Sequence, residues 1–283
     1  TAQARTNTAA SGINDSFYMQ WADVDASAAT YNSSRATITI PAGATVAFAR
    51  LAWSGDTGTI RLADGTVSAL PGCNTRQFLA GAGTAVLPAG TPESTSVRVT
   101  VGANPTVVHA PQVISRDALA NVPAAQPQFY AAYANVTSTL AAAPTGVPTT
   151  VTVGNVWTPQ GFGCYSGWSL SVVYSYPTAN VNAPSSRHVA IYDGHVRQSS
   201  IDPATTLTAA GFTANATDAR VALTAFEGDF NIAGDRFAIN GTNVADPATG
   251  ATSNFFISAT DGSSAPAVAN NMSVDAKSLL APV

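Results

Sequence analysis

Glu227, Asp229 and Asp235 fall in one short stretch punctuated by Gly228 and Gly234, with Asn231 between them, and offer the hard oxygen donors that Ca²⁺ prefers. The spacing is not that of an EF-hand loop. Aspartate and glycine are also ordinary turn residues, so the stretch reads as a calcium candidate and as a plain turn. The same acids raise the question of a glycosidase pair, which needs two carboxylates roughly 5 to 9 Å apart. Only two glutamates exist, Glu93 and Glu227, and nothing places one near the other, so any pair must use aspartate. The three histidines are His109, His188 and His195; the last two are an odd number of residues apart, which in an unbroken strand puts them on opposite faces and suits joint metal ligation poorly. No Gly-x-Ser-x-Gly nucleophile elbow occurs. The expectation is a chain that is not an enzyme, with no catalytic residues and no cofactor beyond the calcium candidate.

Two further residue sets carry covalent chemistry. Cys73 and Cys164 could close a loop of about 90 residues, which in the chain-entropy model contributes roughly 4–5 kcal/mol, less any native strain. Two buried free thiols are the alternative. Lys277 is the only lysine. It could join an asparagine or aspartate side chain through an isopeptide bond, with a nearby acid as catalyst, at the loss of one ammonia or one water. The aromatic positions Trp53, Trp157, Tyr165, Trp168, Tyr174 and Tyr176 could stack on sugar rings if they shared an open face; alternation from Trp168 to Tyr176 instead describes a stripe facing a core. Six Asn-x-Ser/Thr sequons begin at Asn14, Asn32, Asn135, Asn215, Asn240 and Asn271, a pattern that so Thr- and Ser-rich a chain also produces by chance.

The elements that must position these residues are β-strands. Period-two alternation of β-branched residues marks 35–40, 45–53, 96–101 and 149–153, and further strand patterns cover 168–176, 188–192, 220–226 and 254–258. Turn residues such as Pro41, Gly43, Gly65, Gly72, Gly194 and Gly241 separate them. Helix is expected at most over a turn or two at 115–121 and 130–142. Strands at this density predict an all-β fold, a β-sandwich with jelly-roll or Greek-key connections. It would run from 12 to 283, either as one continuous fold or as two stacked lobes divided near 123–148.

The chain has 283 residues, 46% of them hydrophobic, enough to bury a large core and to disfavour disorder. Only 10% are charged, against roughly 25% in an average soluble domain, so copies repel one another little and self-association becomes a live expectation. The net charge of −4 and arginines scattered singly disfavour nucleic acid as a partner. No apolar run is long enough for a membrane helix. The first ten residues are mostly small and begin at Thr1, as expected just after a removed export signal.

Several segments together resemble a β-rich domain near the start of large, secreted, repeat-bearing, adhesin-like surface proteins of bacteria. They are 36–46 leading to Leu51, Ala52 and Trp53; Gly167 to Tyr174; His188 to Gly194; Phe226 to Asp235 followed by Ile239, Asn240, Gly241 and Thr242; and Asn254 with Phe255 and Phe256. The resemblance implies an extracellular module with no established catalytic residues. Two departures stand out: His195 follows Tyr192-Asp193-Gly194 where the related domains carry an aromatic, and those domains continue as strand beyond the position of Leu279 and Leu280. The expectation is a sandwich short of one strand, which a neighbouring subunit completes by β-strand addition. Residues 1–11 are the candidate donor strand, with a tail lying on its own sheet as the alternative. The functional expectation is an extracellular, cell-surface structural or adhesive protein, a pilus-like fibre or surface-layer subunit that self-associates. A module binding cell-wall or other glycans is the alternative, and a glycan hydrolase a third reading.

Overall fold

The computed structural model describes residues 13–183, 185–211 and 217–282. The chain is all-β, and it divides into two compact units: Asp15–Val189, and Ala190–Val283 together with Thr1–Asn14. The stretch 123–148 therefore lies inside the first unit, and the division falls between Val189 and Ala190. The proposed donor segment 1–11 lies outside the described residues.

The first unit is built on two open, antiparallel four-stranded sheets. One is ordered β10 (Ser166–Ser175), β3 (Thr45–Ile60), β7 (Pro127–Asn135), β6 (Val113–Arg116); the other is ordered β2 (Ser33–Ile38), β8 (Thr149–Gly154), β4 (Val97–Val101), β5 (Val107–His109). Alternation decides which side chains meet. In β4, Val97, Val99 and Val101 are buried while Arg98 and Thr100 are less so. In β7 the buried apolar set includes Tyr130, Ala132 and Ala134, and in β3 it includes Ala49, Leu51 and Trp53. These residues join Val151 and Val153 of β8 in one core. Trp53 sits in register with Ala132 on one side and Trp168 on the other, so a small residue leaves room beside the indole. The Tyr130 hydroxyl donates to the Trp157 carbonyl at 2.7 Å, which lets a phenol be fully buried.

The two stretches expected to hold at most a turn or two of helix hold about that much. Most of 115–121 is divided between the end of β6 and a 3-10 turn at Leu119–Asn121; of 130–142, the first half is β7 and only Thr137–Ala141 is helical. Alanine supplied the helical signal, but Ala132 and Ala134 alternate with larger residues across a sheet whose partner is bulky, and tertiary packing overrides propensity there.

The second unit is organised around β15 (Val274–Pro282), which pairs antiparallel with β11 (Asp218–Phe226) and parallel with β14 (Thr260–Gly262). A two-residue hairpin, β12 (Ala238–Ile239) with β13 (Thr242–Asn243), lies beside this sheet in sequence. Phe255, Ile257, Ala259, Val274 and Ala281 are buried here, and so are Asp229, Asp246, Asp261, Asp275 and Lys277. An apolar core this small with so many buried charges demands a partner for each of them.

Candidate functional site: a buried lysine among aspartates

Lys277 lies at the middle of β15 and is fully buried. Its ammonium donates to Asp246 Oδ2 at 2.6 Å and to Asp261 Oδ2 at 2.7 Å, and Asp275 Oδ1 is 3.6 Å away. The Phe255 ring centroid lies 5.3 Å from Nζ, closing the site on an apolar side. Period two puts Asp275 and Lys277 on the same face of the strand. Asp261 arrives through the parallel pairing, which sets it directly in register with Lys277. That approach is close: Gly262 holds φ +66°, and a Cβ there would run into the Ser278 carbonyl oxygen.

The three carboxylates are held differently. Asp246 Oδ1 accepts from the backbone N–H groups of Ala248 at 3.2 Å and Thr249 at 2.8 Å and from the Thr249 hydroxyl at 2.7 Å. Burial opposes its charge, yet the hydrogen bonds from Lys277 and Thr249 hold its carboxyl below the ordinary value. Asp275 accepts three backbone N–H bonds, from Ile257 at 3.0 Å, Ser258 at 3.0 Å and Ala259 at 3.1 Å. Burial nonetheless dominates and pushes it up to about 6. Asp261 is raised as well, by burial first and then by the Asp246 carboxylate beside it, against the pull of Lys277. Its Oδ1 is buried without a hydrogen-bond partner among the described residues. With one ammonium against three carboxylates the fully ionised site carries a nominal charge of −2 out of water, a costly state that protonation of the raised acids relieves.

The chain matches no known protein family, no characterised protein and no solved structure.

The calcium candidates take up backbone duties. Asp235 Oδ1 accepts the N–H groups of Phe255 and Phe256 at 2.5 and 2.8 Å, and Asp229 Oδ1 accepts the N–H of Asn14 at 2.6 Å. Glu227 is exposed, in a left-handed conformation with φ +70°, and its N–H donates to the Ser273 carbonyl. Among the described residues no three His, Cys, Asp or Glu side chains gather as a metal ion requires.

Cys73 and Cys164 form a disulfide in the first unit, with Cα atoms 4.9 Å apart, and pack with Ala85 and Met19 in a small cluster apart from the main core. Glu93 forms a bidentate pair with Arg116, whose hydrogen bonds hold the Glu93 carboxyl down at about 2. The His109 imidazole meets the Thr139 hydroxyl at 3.0 Å, and burial lowers its pKa. His188 and His195 lie outside any strand. Of the aromatic positions, Trp53, Trp157 and Tyr165 are buried, and Trp168 and Tyr176 pack against the core. Tyr174 departs from its stripe: a register shift between Val173 and Tyr174 breaks the alternation, and Tyr174 is exposed. Two sequons begin at buried asparagines, Asn14 and Asn32, whose side chains donate to Gly228 and Val156 carbonyls.

Asp275 and Lys277 share a face two residues apart, a signal available in the sequence. Asp246 and Asp261 are a loop residue and an Asp-Gly step that read as turns; only the fold brings them to Lys277.

Proposed function

We propose that this chain is an extracellular structural or adhesive protein, the subunit of a fibre or surface layer, whose copies join by β-strand addition. One observation carries the reading. Residues 188–192 have the apolar, β-branched pattern of a strand, yet they form none: Val189 is 56% exposed, Val196 just beyond is 64% exposed, and Ile191 and Tyr192 are exposed too. A strand needs hydrogen-bonding neighbours, and an exposed apolar segment outside any ladder can serve as a donor to a neighbour's sheet.

Other features agree. A surface with few charges permits close packing of copies. The disulfide suits an oxidising compartment, and no helix among the described residues is long and apolar enough to cross a membrane. A contact made head to tail in this way is heterologous, and repetition extends it into a filament. Residues 1–11 remain a second donor in this scheme.

The test is the pair of wild type and Ile191→Pro. Proline removes a backbone donor and blocks strand pairing at its position, in a segment whose loss leaves both cores intact. Sedimentation of the wild type should show large assemblies that the variant, with an unchanged circular dichroism spectrum, lacks. Equal assembly by both proteins contradicts the role of this segment.

A further inference from the structure

We propose that Lys277 Nζ and the Asp261 side-chain carbon join in an intramolecular amide, with Asp246 as the proton acceptor, stapling β15 to β14. Amide formation between side chains needs an amine and a carboxyl in contact, a group to take the amine's proton, and a site from which the product water leaves without competing hydrolysis. Lys277 and Asp261 are in contact at 2.7 Å and in register across a strand pair, so little conformational freedom is lost on approach. Both side chains are buried, at 0% and 8% exposure.

The geometry distinguishes the three acids. Asp275 spends its carboxylate on three backbone N–H groups and lies farthest from Nζ, at 3.6 Å. Asp246 is anchored as a charged carboxylate by Ala248 and Thr249 with its Oδ2 against the ammonium, the arrangement of a base. Asp261 is the acid with a buried oxygen left without a partner, and its raised pKa favours the protonated form that an amine can attack.

The step balances without any other reactant. The Lys277 ammonium gives one proton to the Asp246 carboxylate, and the freed Nζ attacks the carbonyl carbon of the protonated Asp261. The tetrahedral adduct loses its second nitrogen proton as the Asp261 C–O bond breaks, and the oxygen departs as water. The product is a neutral amide, one water and a protonated Asp246; no atom is oxidised or reduced. The contacts that raise the Lys277 pKa also hold its proton, so the amine is released only by transfer within the pair. The driving force lies in the site itself, where an amide replaces ionised groups that burial disfavours.

The measurement is the intact mass of the full chain after reduction of its disulfide. It should fall below the sequence mass by one water. Because Lys277 is the only lysine, a lysine-specific protease should leave the denatured chain uncut at Lys277. Cleavage after the phenylalanines and at Met272, which separates residue 261 from residues 246 and 277, should leave the Asp261 and Lys277 peptides joined as one branched species. Lys277→Arg should return the sequence mass. Asp246→Asn should do so too, with Asp246→Glu restoring the deficit. Full sequence mass in the wild type with cleavage after Lys277 overturns the proposal. So does a one-water deficit found only on linear peptides, as a cyclised aspartate at the Asp261-Gly262 step produces, or a branch at Asp246. A complete deficit in Asp246→Asn overturns the assignment of Asp246.

Discussion

A carboxyl buried beside a lysine titrates where a free one does not. Asp275 is held at about 6 against an ordinary 3.8, so the native state binds its proton more tightly than the unfolded chain. Such a group stabilises the fold fully below the unfolded value, and that contribution is lost as pH rises through the folded value; the interval corresponds to on the order of 3 kcal/mol. In the unlinked chain Asp261 is shifted the same way, whereas Asp246 and Glu93 are held low and lose their contributions only at more acid pH. The second unit should therefore unfold at higher denaturant concentration near pH 4.5 than near pH 7, with a flatter profile in Asp275→Asn. A midpoint that rises with pH over this range contradicts the burial of Asp275. The same residue shows what a single sequence reveals. Asp275 and Lys277 lie two apart in a β pattern, which is enough to pair them on one face. The raised pKa was not legible, because it comes from burial that only the folded unit creates.

At the scale of elements, strands with alternating β-branched residues were legible: β2, β3, β4, β8, β10 and β11 fall close to their expected positions. Two expected strands do not form, for different reasons. At 254–258 the backbone N–H groups are taken by the carboxylates of Asp235 and Asp275, so side chains from other parts of the sequence do the work of a neighbouring strand. At 188–192 the pattern is present, but no strand pairs with it among the described residues. β15 was missed because Asp275 and Lys277 interrupt its apolar face, and a sequence reading assigns charges to solvent. Its pairing with β14 depends on Gly262, whose left-handed φ and lack of a Cβ allow the approach to Ser278. Gly262→Ala should destabilise the second unit by about 1–3 kcal/mol, read as faster hydrogen exchange in β14 and β15 with little change in β3 and β7. In the first unit, Trp53→Ala should cost about 3–5 kcal/mol and show the reverse pattern of exchange.

For the molecule as a whole, two units with separate cores carry separate devices. The Cys73–Cys164 disulfide closes a long loop within the first unit, and reducing it should lower that unit's stability by roughly 4–5 kcal/mol in the chain-entropy model. Exchange protection of β11 and β15 should survive reduction. Calorimetry with and without reductant checks this, and an equal loss in both units contradicts it. The proposed joining of copies concerns a charge-poor, disulfide-bearing β-protein with an exposed strand-like segment. Electron microscopy of the purified wild-type chain at rising concentration tests that most directly. Regular filaments or ordered sheets are the predicted result, and single dispersed particles at every concentration would contradict it.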